Sequence, residues 1–286
     1  MSGKIRFAPS PTGYLHEGHL LSALYVWAAA KKWNLKIHLR IEDHDQSRAR
    51  PAYIAGIRED LAWLGFKYDS ESIQSARGPI YEAALQKLKE KSLVYPCYCS
   101  RKQLLAENPQ SETGEIVYQG KCLHEPHDIP LPHNLRFIVP NKFIDWHDLR
   151  LGDFHENPKL QCGDFPIRDR DNQWTYQFAV CVDDIDEQIT HIVRGEDIRN
   201  STARQIALME ALGRTERPVY LHHPLIVDAN NKKLSKRELA HSLRQDKEAG
   251  ITPEMLFGRV CYKAHLTETD TPIALVDAIS IIMETL

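Results

Sequence analysis

The chain has 286 residues, enough for one well-packed core organised as one or two domains. Its 36 Lys and Arg residues against 39 Asp and Glu residues give a formal net charge of −3, so no overall basic charge signals nucleic-acid binding. No apolar run approaches roughly 18 residues, and the N-terminus leads directly into a predicted strand. These features argue against a membrane span and a signal peptide, and they predict a cytoplasmic location.

The N-terminal segment predicts a strand, a loop and a helix in succession. An apolar strand over 5–8 is followed by a breaker-rich loop and by an amphipathic helix over 18–33. The first amides of a helix are unpaired donors at the positive end of its dipole, so this arrangement favours phosphate binding. Gly18 would let a nucleotide approach the backbone, while His16 and His19 could donate hydrogen bonds to phosphate oxygens.

The next predicted strand, over 36–41, places an acidic cluster beginning with Glu42 at its carboxyl end. Open parallel sheets bind ligands at this end, where a carboxylate such as Glu42 could hold a substrate ammonium. The same acidic cluster could equally cap the following segment. Two helices with core-facing apolar stripes are predicted next, over 51–64 and 79–91.

Three of the six cysteines lie close together in sequence as a Cys97-x-Cys99 pair followed by Cys122. Six unevenly spaced cysteines do not form a disulfide scaffold in a chain of this length, so a structural zinc site is the better interpretation. Such a site needs four ligands, and from chemistry alone His124 or His127 would supply the fourth. The alternative is that the three thiols are ordinary buried core residues.

The segment around the cysteines predicts an insertion, because 107–146 is rich in proline and only 135–139 has the pattern of a strand. We therefore expect a first half of a nucleotide-binding domain over 1–94, a zinc-bearing insertion over 95–164, a second half over 165–240 and a short helical C-terminal extension over 241–286.

In the second half, a predicted strand over 189–193 ends at Arg194, much as the first strand ends near Arg6. Two arginines at strand ends offer guanidinium groups for bidentate recognition of carboxylates, although either could instead form a surface ion pair. A helix over 200–212 and a strand over 219–222 are predicted to follow.

A polar, lysine-rich turn over 231–237 follows this strand. Lysines on a mobile loop can move onto a triphosphate and stabilise the leaving pyrophosphate, a role that suits Lys236 with Lys233 as its helper. Without the upstream phosphate motif, this turn would be an ordinary exposed loop. Beyond it, Thr252 is predicted to cap a further helix.

The two phosphate-binding motifs together resemble the H-I-G-H and K-M-S-K-S signatures of class I aminoacyl-tRNA synthetases. They are written here His16-Glu17-Gly18-His19 and Lys233-Leu234-Ser235-Lys236-Arg237, with Glu17 where the family has an apolar residue. The stretches 6–13 and 40–43 narrow the resemblance to the glutamyl/glutaminyl branch, and the resemblance spans roughly 5–237. Full-length glutamyl enzymes continue into a large helical anticodon-binding region after the second motif, whereas this chain nearly stops there, as in the short members of the branch.

The resemblance implies a Rossmann-like α/β catalytic domain that uses ATP with Mg²⁺, L-glutamate and a tRNA. It implies catalysis by His16, His19 and Lys236, with Gly18 and Lys233 as further ATP contacts. The implied glutamate contacts are Arg6, Ala8, Ser10, Glu42, Tyr176 and Arg194. For structural Zn²⁺ it implies the ligands Cys97, Cys99, Tyr118 and Cys122, with Tyr118 as the fourth ligand and His124 in reserve.

The resemblance also implies an activity: the short members transfer glutamate to queuosine in the anticodon of tRNA(Asp) and activate glutamate without tRNA, which the full-length enzymes do not. Three alternatives remain open. The chain could be a truncated enzyme that charges a tRNA 3′ end, or an adenylate-forming enzyme with a small-molecule acceptor. Outside enzymes, it could be a zinc-containing RNA-binding module on an inactive synthetase fold.

Overall fold

The computed structural model of the protein describes residues 3–111, 114–125, 132–226 and 241–286. Its strands are β1 (Lys4–Phe7), β2 (Lys36–Ile41), β3 (Ser70–Ile73), β4 (Val94–Cys97), β5 (Asn134–Phe137), β6 (Ile144–Asp148), β7 (Gly152–Glu156), β8 (Phe165–Arg168), β9 (His191–Gly195) and β10 (Val219–His223). Its α-helices are α1 (Glu17–Trp33), α2 (Pro51–Trp63), α3 (Gly78–Glu90), α4 (Arg101–Glu107), α5 (Lys121–His124), α6 (Pro158–Cys162), α7 (Tyr176–Asp186), α8 (Thr202–Ala211), α9 (Leu243–Glu248), α10 (Pro253–Lys263) and α11 (Leu275–Thr285). Across these ranges, no helix combines the length and apolarity needed to cross a bilayer.

Seven strands form one sheet in the order β3-β2-β1-β9-β10-β6-β7. Every neighbouring pair is parallel except β6 and β7, which form an antiparallel hairpin at the edge. The prediction of a Rossmann-like α/β domain with a parallel sheet is confirmed. Because the strands are parallel, the carboxyl ends of β1, β2, β9 and β10 lie along one edge, which is where such sheets bind ligands.

The helix α1 is the central packing element of this domain. Ten of its seventeen residues are buried, and its contacts include β1, β9, α10 and α11. It ends at Asn34, which adopts the left-handed conformation with φ of 52°. The bounds predicted for β1, α1 and β2 differ from the observed ones by at most one residue.

The C-terminal helices belong to the main core. The helix α10 begins at Pro253 with Thr252 as its N-cap, as predicted. Leu256, Phe257 and Ile282 are buried in the same hydrophobic cluster as Ile5 of β1. These helices therefore complete the covering of α1, and the short helical C-terminal extension over 241–286 stays a prediction as a separate segment.

The segment predicted as an insertion differs in one respect from that expectation. It contributes β4 and β5 to a separate three-stranded antiparallel sheet with β8, but it also contributes β6 and β7 to the main sheet, where Asp148 pairs with Tyr220. The strand β6 alternates buried and exposed residues, a period-two pattern that is hidden among the surrounding prolines. The range 95–164 is therefore not self-contained, and the division into four segments stays a prediction.

Candidate active site

Two histidines cap the first turn of α1 reciprocally. The His16 Nδ1 accepts a hydrogen bond from the Gly18 amide at 3.1 Å, and the His19 Nδ1 accepts one from the His16 amide at 3.2 Å. Their ring centroids are 3.8 Å apart. Because each neutral ring accepts through Nδ1, its proton must be on Nε2. Both histidines therefore present an N–H donor on the side away from the helix backbone.

The protonation state of this pair follows from its burial. Burial, followed by the neighbouring His16, lowers the pKa of His19 to about 3. Burial also lowers the pKa of His16, and the charge of Glu17 opposes this shift. At neutral pH both rings are uncharged, so they would bind an anion as hydrogen-bond donors and not as cations.

The histidine pair opens onto a cavity of about 320 Å³ between the start of α1 and the ends of β9 and β10. This volume lies within the range of small-molecule sites. The lining residues are His16, Gly18, His19, Ser22, Gly195, Asp197, His223, Leu225 and Ile226. The motif residues His16, Gly18 and His19, predicted to contact ATP, thus share one cavity.

A second group of predicted residues lies at the neighbouring strand ends and at the start of α7. Burial, before any other cause, raises the pKa of Tyr176 to about 12, and the charges of Glu42, Arg194 and Arg6 act on the same phenol. Glu42 is 5% exposed, and burial raises its pKa to about 7 against the opposing charges of Arg40 and Arg6. Three residues predicted to bind glutamate therefore act electrostatically on a fourth, Tyr176.

The loop after β1 is tied to this group through the backbone. The Glu42 amide donates a hydrogen bond to the Pro9 carbonyl oxygen at 3.1 Å. Ala8 and Ser10, on either side of Pro9, are partly exposed. The predicted contacts Ala8 and Ser10 thus flank a residue bonded to the backbone of Glu42, whereas Lys233 and Lys236 lie outside the described residues.

The two predicted carboxylate-binding arginines have different surroundings. Arg6, 4% exposed, donates from Nε to Asp184 Oδ1 at 3.1 Å and from Nη1 to the Val193 carbonyl oxygen at 3.2 Å. Its charge is therefore paired with a carboxylate. Arg194, 5% exposed, has no carboxylate oxygen within 4.0 Å among the residues that the structure describes. Neither arginine forms the surface ion pair considered as an alternative.

One fully buried charge near the site is a residue to which sequence reasoning assigned no role. The Arg40 guanidinium is fully buried, and its Nη2 lies 2.6 Å from Asp184 Oδ1 and 2.5 Å from Glu187 Oε2. Its Nη1 lies 3.7 Å from Glu42 Oε1. The signal available in the sequence was an arginine at an otherwise buried position of β2, directly before the acidic cluster.

The three clustered cysteines converge in the structure. The Sγ atoms of Cys97, Cys99 and Cys122 lie within 4.8 Å of one another, with Cys99 and Cys122 3.5 Å apart. The Tyr118 hydroxyl oxygen is 3.5 Å from Cys97 Sγ and 3.7 Å from Cys99 Sγ. In contrast, His124 is exposed and its ring nitrogens are not part of this group. His127 lies outside the described residues.

These four side chains fit a tetrahedral zinc site. Zinc–sulfur bonds of about 2.3 Å require sulfur atoms slightly less than about 4 Å apart, close to the spacing observed here. Burial raises the pKa of the Tyr118 phenol, so the group keeps its proton unless a cation displaces it. The Arg136 guanidinium lies 3.9 Å from the centre of the Tyr118 ring, where it would offset the negative charge of bound thiolates.

A glycine allows Tyr118 to reach this position. Gly163 adopts φ of +63°, and a Cβ atom there would lie 2.0 Å from the Tyr118 carbonyl oxygen. The Tyr118 amide donates to the Cys162 carbonyl oxygen at 3.3 Å across the same contact. Only glycine permits this close approach of the two chain segments.

The chain is similar to known proteins along most of its length. The family model for the catalytic domain of class I tRNA synthetases (E and Q) matches residues 4–277. The glutamyl-Q tRNA(Asp) synthetase of Neisseria meningitidis serogroup C is 39% identical over 277 residues, which cover 95% of this chain and 92% of that protein. The glutamate–tRNA ligase of Aquifex aeolicus is 40% identical over 268 residues, covering 90% of this chain and 56% of that protein.

A solved structure of a glutamate tRNA ligase has a similar fold. A glutamate tRNA ligase from Elizabethkingia meningosepticum, in complex with its amino acid, matches with a TM-score of 0.77 and 27% identity. The match covers 98% of this chain and 64% of that one. The chain thus spans little more than half of the glutamate–tRNA ligases to which it is similar, but nearly all of the shorter Neisseria protein.

Proposed function

Because the chain belongs to the family of class I glutamyl- and glutaminyl-tRNA synthetases, which are ATP-dependent ligases, we propose that it activates L-glutamate and transfers it to queuosine in the anticodon of tRNA(Asp). The first half of this proposal is the formation of glutamyl-adenylate from glutamate and ATP. The second half is the choice of acceptor. Each half has its own support and its own test.

One observation carries the choice of glutamate. A buried carboxylate, Glu42, and a buried arginine without a carboxylate partner among the described residues, Arg194, both act electrostatically on Tyr176. An amino acid whose side chain ends in a carboxylate supplies the complementary charges, with its ammonium for Glu42 and its side-chain carboxylate for Arg194. Arg6 is a further contact in this proposal, and Ala8 and Ser10 would line the pocket from the adjacent loop.

The activation step needs no nucleophilic side chain of the protein. An oxygen of the glutamate α-carboxylate forms a bond to the α-phosphorus of ATP while the bond from that phosphorus to pyrophosphate breaks. His16 and His19 would donate from Nε2 to phosphate oxygens as charge develops, and Lys236 with Lys233 would hold the leaving pyrophosphate. Mg²⁺ bound to the phosphates would neutralise part of their charge.

The choice of queuosine rests on similarity along nearly the whole of a relative that carries this name. The chain covers 92% of a relative named glutamyl-Q tRNA(Asp) synthetase but only 56% of a glutamate–tRNA ligase of similar identity. In the transfer step, a hydroxyl oxygen of the acceptor attacks the activated carbonyl carbon and AMP leaves. The zinc site of Cys97, Cys99, Tyr118 and Cys122 would support the small sheet without taking part in this chemistry, since all four ligand positions are occupied by side chains.

ATP–pyrophosphate exchange with glutamate, in the absence of tRNA, tests the first half. Exchange is expected for the wild-type chain and a loss of roughly a hundredfold or more for H19A. Exchange that appears only when tRNA is added would favour an enzyme that charges a 3′ end. No exchange with or without tRNA would overturn the glutamate assignment and favour the RNA-binding module.

Transfer of labelled glutamate tests the second half. The substrates are tRNA(Asp) with queuosine, the same tRNA without queuosine, and queuosine-containing tRNA(Asp) shortened at its 3′ end. We expect labelling of the first and third only. Labelling that depends on an intact 3′ end would identify a charging enzyme instead, and labelling of none would favour a small-molecule acceptor.

A further inference from the structure

Within the part of the chain that the structure describes, Arg194 is held in a buried pocket by neutral hydrogen-bond acceptors. Its Nε donates to His222 Nε2 at 3.0 Å, its Nη1 to Gln205 Oε1 at 2.6 Å and its Nη2 to Thr202 Oγ1 at 2.8 Å. A buried guanidinium usually has a carboxylate partner, because an isolated buried charge is costly. Arg6 and Arg40 follow that rule through Asp184, whereas Arg194 has no such partner among the described residues.

A carboxylate nevertheless lies on the far side of His222 and reaches Arg194 only through that residue. Asp148, at the end of β6, is fully buried, and its Oδ2 accepts a hydrogen bond from His222 Nδ1 at 2.6 Å. The same oxygen accepts from the His222 amide at 2.9 Å. His222 carries its proton on Nδ1 and donates it in a hydrogen bond to Asp148. Its unprotonated Nε2 is therefore the acceptor for Arg194. Asp148, His222 and Arg194 therefore form one chain of hydrogen bonds.

His222, the histidine in this series of hydrogen bonds, is uncharged. Burial, as the largest cause, lowers the pKa of His222 despite the neighbouring Asp148 carboxylate. The carboxylate of Asp148 is thus separated from the guanidinium by a neutral ring. This arrangement orients Arg194 through three hydrogen bonds, but it leaves most of the positive charge uncompensated at short range.

We propose that His222 and Gln205 are positioning residues that hold Arg194 through neutral hydrogen bonds, so that its charge stays available for the side-chain carboxylate of the amino-acid substrate. This inference rests on the proposed activation of glutamate. It makes the neutrality of the two residues a determinant of specificity: a carboxylate in direct contact with Arg194 would take the place of the substrate carboxylate. The uncharged isostere glutamine would then compete better.

The sharpest test is Gln205→Glu, because it changes charge with almost no change in shape. The new carboxylate would lie against Nη1, where the Gln205 oxygen now lies at 2.6 Å. In ATP–pyrophosphate exchange we expect the KM for glutamate to rise by roughly 30-fold or more and the preference for glutamate over glutamine to fall by a similar factor. The KM for ATP should change by less than about twofold, since Arg194 does not line the nucleotide cavity.

A second variant moves the existing charge without adding one. The double substitution D148N/H222E keeps the total formal charge of the three hydrogen-bonded residues. It moves the negative charge from position 148, two hydrogen bonds from Arg194, to position 222, in direct contact with Arg194. We expect the same loss of glutamate affinity and selectivity as in Q205E. The conservative H222Q keeps a neutral acceptor and should raise the KM for glutamate by no more than about threefold.

An exposed histidine provides the matched control. His155 on β7 pairs with Asp145 at 2.6 Å, and its side chain is 64% exposed. H155E makes the same chemical change as the substitution at His222, outside both proposed pockets, and should leave all exchange parameters at wild-type values. Thermal unfolding and circular dichroism of each variant establish that it is folded. If D148N/H222E does not fold, Q205E decides the matter alone.

The outcomes separate this inference from the proposed function. Wild-type exchange with glutamate, together with an unchanged KM and unchanged selectivity in folded Q205E, would overturn the inference and leave the proposed function intact. A general loss of stability without a change in the glutamate-to-glutamine ratio would also overturn it, because it would indicate a purely structural role. Absence of glutamate-dependent exchange in the wild-type chain would overturn the proposed function and this inference with it.

Discussion

Glu17 and Arg259 form an ion pair in which Oε1 of Glu17 lies 2.8 Å from Nε of Arg259. The other carboxylate oxygen lies 2.6 Å from Nζ of Lys263, so two cations of α10 surround it. Glu17 directly follows His16 in the phosphate motif, and its charge acts on the His16 ring. The two cations therefore compensate an acidic side chain where the family has an apolar one and where a polyphosphate is proposed to bind.

Removing both cations should expose this acidic charge to ATP. For R259M/K263M we expect the KM for ATP in pyrophosphate exchange to rise by roughly tenfold, because an unpaired carboxylate near the phosphates opposes their binding. The KM for glutamate should be nearly unchanged. Adding E17Q to the double variant should bring the KM for ATP back to within about threefold of wild type, because the charge that required compensation is gone.

Lys32 offers a matched control at the opposite end of α1. Its Nζ contacts the Met283 carbonyl oxygen at 3.1 Å and no described carboxylate. K32M should have wild-type kinetics. A double variant with an unchanged KM for ATP, or a loss that E17Q does not reverse, would show that the ion pairs serve only to attach α10.

Glu42 predicts a pH dependence of glutamate use. With a pKa raised to about 7 by burial, the carboxyl group is increasingly protonated below neutrality and then cannot pair with the substrate ammonium. We expect kcat/KM for glutamate to fall by up to about tenfold per pH unit below about 7. The sign for stability is the opposite: ionising Glu42 costs folding free energy, a cost absent below its unfolded pKa of 4.5 and complete above about 7.

Exchange rates measured with subsaturating glutamate between about pH 5.5 and pH 8.5 would show this acidic limb, the fall in kcat/KM below about pH 7. The variant E42Q should be weakly active and lack it. An acidic limb of the same midpoint in E42Q would assign the titration to another group.

The elements that carry the histidine motif could be predicted from sequence because their signals are local. The apolar period of α1, the breakers before it and the spacing of His16 and His19 all lie within thirty residues. The partners of Arg194 could not be predicted in this way. Asp148 reaches His222 across 74 residues through the pairing of β6 with β10, and β6 was hidden in a proline-rich segment.

Long-range packing also bears on the choice of fourth zinc ligand, which sequence chemistry left open. Composition favoured a histidine near Cys122 as the fourth ligand, because imidazole binds zinc more commonly than phenolate does. In the structure His124 is exposed. Tyr118 lies in the cysteine cluster, and its backbone packs closely against Gly163. No local pattern marks that contact.

If Tyr118 is the fourth zinc ligand and His124 is not, substitutions at the two positions should differ in their effect on zinc binding. We expect about one zinc ion per chain by elemental analysis of the purified protein, and chelation should lower the thermal midpoint, because a closed four-ligand site contributes to folding. Y118F should bind zinc more weakly in competition with a chromogenic chelator. H124Q, the matched control in the same segment, should behave as wild type.

Zinc affinity that falls in H124Q but not in Y118F would reverse the assignment of the fourth ligand. A metal-free protein whose thermal midpoint does not respond to added zinc would instead favour three buried free thiols.

Arg40 should be a major contributor to stability. It is fully buried against Asp184 and Glu187, so R40M would leave two buried carboxylates without their shared cation, at a cost of about 3–5 kcal/mol. The exposed pair between Arg58 and Glu71 is the control, and R58M should cost no more than about 1 kcal/mol. Urea unfolding at neutral pH measures both values, and equal costs would contradict the assigned role of Arg40.

The effect of R40M should also depend on pH. Burial alone would raise the pKa of Glu187, but its bond to His38 and the charge of Arg40 hold that pKa well below the ordinary value. A depressed carboxyl pKa contributes stability that is complete above the unfolded value of 4.5 and is lost as pH falls further. In R40M that contribution is weakened, so the difference in unfolding free energy between wild type and R40M should shrink as pH falls below about 4.5. A difference that stays constant down to about pH 3 would mean that the loss in R40M comes from packing and not from charge.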